Sequence, residues 1–400
     1  MRRIPPVYSP VSPSALIAAR RARSTRSDTE LREEASRLLA ERFDAAEVLL
    51  TDSGTSALIV VLRAIVKSGG IIALPAYGCP DLTSAAVRAG VRVRLYDLDP
   101  ATLSPNLESV RRTLRRGADA LVITHLYGYP ADFHGVRGIG AEFGVPIVED
   151  AAQAAGGKLR GVRLGALGDV SILSFGRGKG LAAGSGGAVL MRNGFERNHV
   201  DAIRDTLAAA HEGGFEFISL AAQWLLARPA LYGIPSSIPT LRLGETVYKP
   251  AHEPRSISSL AAAILPSALG LELEESRARR AHAAAILSTL TRGARVDAVK
   301  PIPGGESGYL RLAVLDPSGA LSPAVRLGAV RGYPMTLDQH PQLESLLEPG
   351  ECAGSGSCYI RDRLITLPTH SRVRSADVLR IAMWAKAPQP DASGAAWAAT

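Results

Sequence analysis

The chain has 400 residues, of which 46% are hydrophobic and 21% are charged, and this balance predicts a soluble globular protein long enough for two domains. The net charge of +8 suits an anionic ligand and equally a weak nucleic-acid or membrane contact, but we interpret the arginine-rich start as a solvated arm. The three cysteines have neither the spacing of a zinc site nor the number of a disulfide framework, so we expect no metal and a reducing cytoplasm.

Residues 1–26 are predicted to form an extended arm, because four prolines, the last of them Pro13, exclude a continuous helix. A capping-box order from Ser27 to Glu30 and an apolar face that runs to Phe43 then predict the first helix. We place a large domain over residues 27–245.

Short apolar runs alternate with helical patterns through this domain. We expect strands near residues 48–50, 71–74, 91–96, 120–125, 147–148, 170–175 and 187–192. Strands that alternate with helices predict an α/β domain whose sheet is mostly parallel and is covered by helices on both faces.

The first strand is followed by Gly54, Thr55 and Ser56, which open a predicted helix. Free N–H groups and the helix dipole favour a phosphate at such a helix start, so Thr55 and Ser56 are candidate phosphate ligands. An ordinary helix cap explains this segment equally well when it is taken alone.

A second group of polar residues is set among glycines between Ile147 and Leu190. Asp150 follows a short buried strand, Ser174 ends the next apolar run, and Lys179 comes five residues later in a loop with three glycines. The ligands of open α/β sheets bind at this carboxyl edge. The loop matches neither the phosphate-binding loop of nucleoside triphosphatases nor a dinucleotide fingerprint.

The order of these polar residues along the chain matches the groups that a protein needs in order to bind pyridoxal phosphate. Lys179 offers an amine for covalent attachment, Asp150 a carboxylate for the ring nitrogen, and Ser174 a donor for the phosphate. Taken singly, Asp150 is more typical of a cap or turn and Lys179 of a solvated surface. Only the combination predicts the cofactor.

Several motifs resemble the DegT/StrS-type sugar aminotransferases, which share the aspartate aminotransferase fold. They are EDAAQA at 149–154, G-x-x-G-D at 165–169, S-F-x-x-x-K-x-L at 174–181, S-G-T-x-A-L at 53–58 and H-L-Y-G-x-P-x-D at 125–132. The resemblance covers most of the chain. It implies a pyridoxal-phosphate-dependent transferase of fold type I, with a large α/β domain and a smaller C-terminal α/β domain.

The resemblance also assigns roles to residues of this chain. Lys179 would be the catalytic lysine that holds the cofactor, Asp150 would face the ring nitrogen, and Gln153 would touch the ring or its hydroxyl. Ser174 would bind the phosphate, as would the helix start at residues 55–56.

The stacking residue differs from the family pattern. The family places an aromatic side chain at the position of Cys79, where it stacks on the ring of the cofactor. Tyr77 lies two residues earlier in this chain, and we take it as the candidate for this role.

The rest of the chain is less similar. We predict an insertion over about 213–254, a small C-terminal domain over 246–385 and a disordered tail over 386–400. The apolar run at 217–227 is well short of the roughly 20 residues that a membrane span needs. Glu253 stands where the family has an asparagine that reaches the phosphate of a neighbouring subunit, and its carboxylate would repel phosphate.

The resemblance implies transfer of an amino group from an amino acid, usually L-glutamate, to a keto sugar that is activated by a nucleotide. A homodimer with its sites at the interface is implied as well. The family's dehydratases have histidine in place of the lysine, so Lys179 favours transamination. The alternatives are decarboxylation or acyl transfer on the same fold, and a cofactor-binding regulatory protein without turnover.

Overall fold

A computed structural model of the chain describes residues 2–193, 195, 207–210, 216–238, 240, 246–290 and 294–386. Its strands are β1 (Glu47–Thr51), β2 (Ile71–Pro75), β3 (Arg92–Tyr96), β4 (Ala120–Thr124), β5 (Ile147–Asp150), β6 (Lys158–Leu159), β7 (Val162–Arg163), β8 (Val170–Ser174), β9 (Gly187–Met191), β10 (Asp297–Ala298), β11 (Gly305–Glu306), β12 (Leu312–Leu315), β13 (Val330–Arg331) and β14 (Leu364–Leu367).

The helices of the described residues are α1 (Pro13–Thr25), α2 (Asp28–Phe43), α3 (Gly54–Ile65), α4 (Pro80–Ala89), α5 (Leu107–Arg115), α6 (Phe133–Phe143), α7 (Glu216–Leu226), α8 (Gly233–Ser236), α9 (Ser259–Thr289), α10 (Ser355–Arg363) and α11 (Ser375–Lys386). Short 3₁₀ turns lie at Leu126–Gly128, Val325–Leu327, Leu337–Gln339 and Pro341–Leu343.

The main sheet has seven strands in the order β1-β9-β8-β5-β4-β2-β3. Strand β9 is antiparallel to both of its neighbours, whereas β8, β5, β4, β2 and β3 are mutually parallel. Strands β2 and β4 are continuous apolar runs because both faces of the sheet are covered, and every residue of β4 is buried. The predicted fold class, an α/β protein with a mostly parallel mixed sheet flanked by helices, is confirmed.

The N-terminal segment is only partly extended, so the prediction of an extended arm over residues 1–26 is wrong for half of that stretch. Helix α1 begins at Pro13, and the hydroxyl of Ser12 accepts a hydrogen bond from the Ala15 amide at 3.1 Å. Proline is compatible with the first helical position, because the N–H that it lacks would have no partner there.

Residues before α1 cross the surface of their own chain. The Ile4 amide donates to Arg326 O at 3.0 Å, and His370 Nε2 lies 2.9 Å from Pro5 O. The Gly178 amide donates to Ser9 Oγ at 2.8 Å, beside Lys179. The arm is therefore fixed within one chain and reaches the lysine loop.

A second sheet, antiparallel and in the order β10-β12-β14-β13, lies in the C-terminal part. Helix α9 connects it to the main sheet. Leu260 and Ile264 of α9 belong to the core of the main sheet, and Ile286 packs in the core of the C-terminal sheet. Part of α9 therefore packs with the large domain, although the sequence places it in the smaller one.

Some predicted segments fall outside the described residues. They are 213–215, 239 and 241–245 of the predicted insertion and 387–400 of the predicted tail. Lys386, the first residue of that tail, is the last residue of α11.

Candidate active site

Asp150 lies at the carboxyl end of β5, between the ends of two parallel neighbours. It is 6% exposed, and its carboxylate accepts hydrogen bonds from the Ala152 amide at 3.0 Å and from Thr124 Oγ1 at 3.3 Å. Burial raises the pKa of Asp150, and the charge of nearby Lys179 acts in the opposite direction. The two bonds are few for a buried carboxylate, which leaves room for a further cationic donor.

The preceding residue, Glu149, has a structural role. Its carboxylate accepts hydrogen bonds from the amides of Gly165, Leu167 and Gly168 and from Ser171 Oγ, at 2.6–2.9 Å. His125 Nε2 lies 3.0 Å from the same carboxylate, and His125 Nδ1 accepts a hydrogen bond from the Ala131 amide at 3.0 Å. Glu149 thus holds the turn before β8 in place.

We expect Glu149→Gln to lower the free energy of unfolding by about 3 kcal/mol at pH 7. Burial alone would raise the pKa of Glu149, but the hydrogen bonds from His125, Gly165 and Gly168 lower it from 4.5 to about 2. Because the folded pKa is below the unfolded one, this stabilisation is complete above pH 4.5 and is lost as the pH falls towards 2. Urea unfolding of the wild type and of Glu149→Gln between pH 7 and 3 measures this contribution to stability.

The exposed Glu33 provides the matched control, and Glu33→Gln should unfold like the wild type. A difference between Glu149→Gln and wild type that stays constant down to pH 3 would show that the carboxylate charge does not supply the stability.

Lys179 lies in a loop that is fixed at both ends. Gly176 and Gly184 form a β-bridge that closes the loop, and the Lys179 amide donates to Gly176 O at 3.2 Å. Gly178 has a φ of +77°, which explains why the position before Lys179 is a glycine. No described residue accepts a hydrogen bond from Lys179 Nζ, so the amine is available to a ligand.

The start of α3 and the end of β8 meet closely. A Cβ atom on Gly54 would lie 2.6 Å from the Cβ of Ser174, so only glycine permits this approach. Ser53 caps the helix by accepting from the Ser56 amide at 3.0 Å. Thr55 and Ser174 are half-buried, whereas Ser56 is buried. The predicted phosphate ligands Thr55, Ser56 and Ser174 therefore lie in one place.

A cavity of about 610 Å³ opens in front of Lys179. Among the predicted site residues, Lys179 and Gln153 line it. Its wall also contains the following residues, which the sequence did not assign to the site: Pro6, Val7, Cys79, Tyr127, Arg177, Arg311 and Tyr333. Cations outnumber acids along the wall, which suits an anionic ligand.

The geometry argues against Tyr77 as the ring-stacking residue. Tyr77 is fully buried, it is absent from the cavity wall, and its hydroxyl accepts a hydrogen bond from the Tyr333 amide at 2.7 Å. The thiol of Cys79 lines the cavity instead, near Lys179, and burial raises its pKa to about 12. Tyr77 lies behind Tyr333 because the segment at 332–333 covers it.

Gln153 is held by two tyrosines of the cavity wall. Its Oε1 accepts from the Tyr127 amide at 3.1 Å, and its Nε2 donates to the Tyr333 hydroxyl at 2.9 Å. The rings of Tyr127 and Tyr333 stack with centroids 5.6 Å apart. Tyr127 has a φ of +54°, a strained conformation for a bulky residue that is concentrated at functional sites.

Two residues of the cavity wall, Arg311 and Tyr333, are not among those predicted from the sequence. For Arg311 a signal existed, because a charged residue interrupts the apolar run YLRLAVL just before β12. An arginine in a buried strand is unusual unless it has a partner or a function. Tyr333 carried no comparable signal.

Glu253 is engaged by two arginines of its own chain. Its carboxylate lies 2.7 Å from Arg63 Nη1 and also pairs with Arg88. These contacts explain how a carboxylate is accommodated at a position where the family has an asparagine.

Within the described ranges, histidine, cysteine and acidic residues form no cluster suited to a metal ion. The helices of the same ranges include none that combines the length and the apolar character needed to cross a membrane.

The chain is similar in sequence to proteins of known name. An L-glutamine:2-deoxy-scyllo-inosose aminotransferase from Streptomyces fradiae is 32% identical over 273 residues, which are 67% of this chain and 58% of the relative. A 3-amino-5-hydroxybenzoate synthase from Amycolatopsis mediterranei is 33% identical over 159 residues, or 40% of this chain and 41% of the relative. The chain thus spans less than two thirds of either relative.

Solved structures have the same fold as this chain. The sugar aminotransferase CalS13 from Micromonospora echinospora superposes with a TM-score of 0.75 at 22% identity, over 96% of this chain and 99% of CalS13. Residues 20–219, half of the chain, match the sequence profile of one family. The chain belongs to the DegT/DnrJ/EryC1/StrS aminotransferase family.

Proposed function

We propose that the chain is a pyridoxal-phosphate-dependent aminotransferase that moves an amino group from an amino acid to a keto sugar or keto cyclitol. One observation carries the proposal: the Lys179 amine, which has no hydrogen-bonding partner among the described residues, opens on a cavity, and its charge acts on the buried carboxylate of Asp150. The names of the relatives, which are aminotransferases of an inosose and of a sugar, support the same reaction class.

The residues fit the cofactor. Asp150 is buried with an elevated pKa, and a protonated ring nitrogen would stabilise its ionised form through a charge-assisted hydrogen bond. The start of α3 offers backbone N–H groups next to Ser174, as a phosphate requires. Lys179 would hold the aldehyde carbon covalently, and Gln153 faces the same cavity.

When bound, pyridoxal phosphate supplies an electron sink that acidifies the C–H bond of the amino-acid donor. Lys179 would be the base that takes the proton from the carbon bearing the donor's amino group, and the same amine would return the proton as an acid. The fixed loop between Gly176 and Gly184 would orient the amine for this role. Asp150 would keep the ring nitrogen protonated.

The donor and the acceptor are further parts of the proposal. We propose L-glutamate as donor and a nucleotide-activated keto sugar as acceptor. Arg177 and Lys249 are exposed on the cavity wall and would meet the phosphates of such a nucleotide. The Streptomyces fradiae relative is named for L-glutamine and for a cyclitol, so both donors and both acceptor types belong in a test.

The half-reaction tests the proposed function. L-Glutamate or L-glutamine added to the cofactor-loaded protein, without acceptor, should produce the amine form of the cofactor and an equal amount of keto acid. Release of carbon dioxide would instead indicate a decarboxylase. An unchanged cofactor spectrum with both donors would indicate a regulatory protein, and either result would contradict the proposal.

We also propose a homodimer with the two sites at its interface. Apolar side chains on α1, α7 and α8 are unusually exposed, among them Ile17 at 67%, Ile218 at 61% and Ile234 at 59%. A twofold arrangement would cover this surface on both copies. Sedimentation should show a dimer that loses cofactor on dilution, whereas an active monomer that retains the cofactor would contradict the proposal.

A further inference from the structure

Arg311 is a buried cation on the cavity wall for which the described residues supply no anion. The residue is 9% exposed, and its Nη2 donates to two backbone carbonyls, Thr366 O at 3.2 Å and Gly328 O at 3.4 Å. Its Nε is buried without a hydrogen-bonding partner. Throughout the described ranges no carboxylate forms an ion pair with it.

A guanidinium in this position is costly unless something neutralises it. Burial lowers the pKa of Arg311 to about 10, so the side chain remains charged at neutral pH. Charged groups taken out of water are usually paired with an opposite charge. The missing anion is therefore expected from a ligand in the cavity.

Three tyrosines lie near Arg311: Tyr127 and Tyr333, which line the cavity, and Tyr232. Burial raises the pKa of each of them, to about 12 for Tyr127, so none is an anion at neutral pH. A tyrosine hydroxyl can instead donate a hydrogen bond to an anion that Arg311 attracts.

The other arginines of the cavity differ from Arg311. Arg331 donates to the carbonyls of Gly319, Leu321 and Asp362 at 3.0–3.2 Å, so its guanidinium serves the local fold. Arg177 is exposed to solvent. Among the described residues of the wall, Arg311 is thus the buried cation whose Nε donates to no protein group. It belongs to the C-terminal part rather than to the phosphate region at α3.

We propose that Arg311 binds a carboxylate of the substrate, with the neighbouring tyrosine hydroxyls as additional donors. A planar guanidinium matches a carboxylate with two parallel hydrogen bonds, which makes it selective for this group. The inference rests on the proposed aminotransferase function. The carboxylate comes either from the amino-acid donor or from a keto acceptor that carries an acid group.

Calorimetric titration of glutarate into the cofactor-loaded protein tests the inference without turnover. Arg311→Gln should weaken glutarate binding by about 10-fold or more, and Arg311→Lys should fall between this variant and the wild type. Arg37→Gln removes an exposed arginine on α2 that pairs with Glu41, and it should bind like the wild type. Wild-type affinity in Arg311→Gln would overturn the proposal.

A comparison on the wild-type protein remains informative if the variants do not fold. The diamide of glutaric acid has the same shape without charge, and it should bind at least about 10-fold more weakly than glutarate. Equal binding of the diamide and of glutarate would overturn the assignment.

The donor half-reaction identifies the source of the carboxylate. A KM for L-glutamate raised about 10-fold in Arg311→Gln, with kcat changed much less, assigns the group to the donor. An unchanged KM combined with weakened glutarate binding assigns it to an acidic acceptor. If wild-type protein performs no half-reaction at all, the proposed function fails, while the glutarate titration still decides whether Arg311 binds carboxylates.

Discussion

Replacement of Lys179 by alanine is expected to reduce turnover by about 1,000-fold or more, because the variant loses both the covalent attachment of the cofactor and the group that moves the proton. The fold should persist, since Nζ donates no hydrogen bond to any described residue. Steady-state assays with a keto acceptor, together with circular dichroism, measure the two effects separately.

Lys67 is the matched control. It is an exposed lysine after α3, outside the cavity, and Lys67→Ala should retain wild-type activity. Activity of Lys179→Ala within tenfold of the wild type would contradict the role of the lysine.

Asp150→Asn is expected to retain the cofactor but to reduce turnover by about 100-fold. The amide has nearly the shape of the carboxylate and can still accept from Ala152, but it lacks the charge that keeps the ring nitrogen protonated. Cofactor absorbance and single-turnover rates measure the two properties. A variant with wild-type turnover would refute this role.

Asp150→Asn should lower turnover, but it should not lower the stability of the cofactor-free protein. Burial raises the folded pKa of Asp150 above its unfolded value, so the ionised carboxylate destabilises the fold above that pKa, and the penalty disappears below the unfolded pKa. Cofactor-free Asp150→Asn should therefore be at least as stable as wild type at pH 7, with the difference vanishing near pH 4.

Thermal unfolding across this pH range measures the effect. The exposed Asp169, which precedes β8, provides the control, since Asp169→Asn should change stability little at either pH.

The sheet and much of the site could be predicted from local patterns. The continuous apolar runs of β2 and β4 indicate strands that are covered on both faces, and the ends of parallel strands meet at one edge. That rule alone brings Asp150 near Ser174 and the lysine loop. Ser27 likewise predicted the start of α2 through its capping box, which the structure contains.

Features that depend on long-range packing were not accessible in this way. Tyr77 is covered because residues 332–333, more than 250 positions later, lie over it. Arg311 lines the cavity because its amide donates to Tyr127 O at 3.3 Å, a contact with a distant part of the sequence. From the sequence, the proline-rich arm could extend into solvent. Hydrogen bonds of Pro5 O and Ser9 Oγ with distant residues fix it to the rest of its own chain.

The role of Lys179 can be tested by identifying the residue to which the cofactor is attached. Protein loaded with pyridoxal phosphate is reduced with borohydride, digested and mapped by mass spectrometry. We expect a single phosphopyridoxyl group on the peptide that contains Lys179. A label on another lysine, or no label at all, would contradict this role.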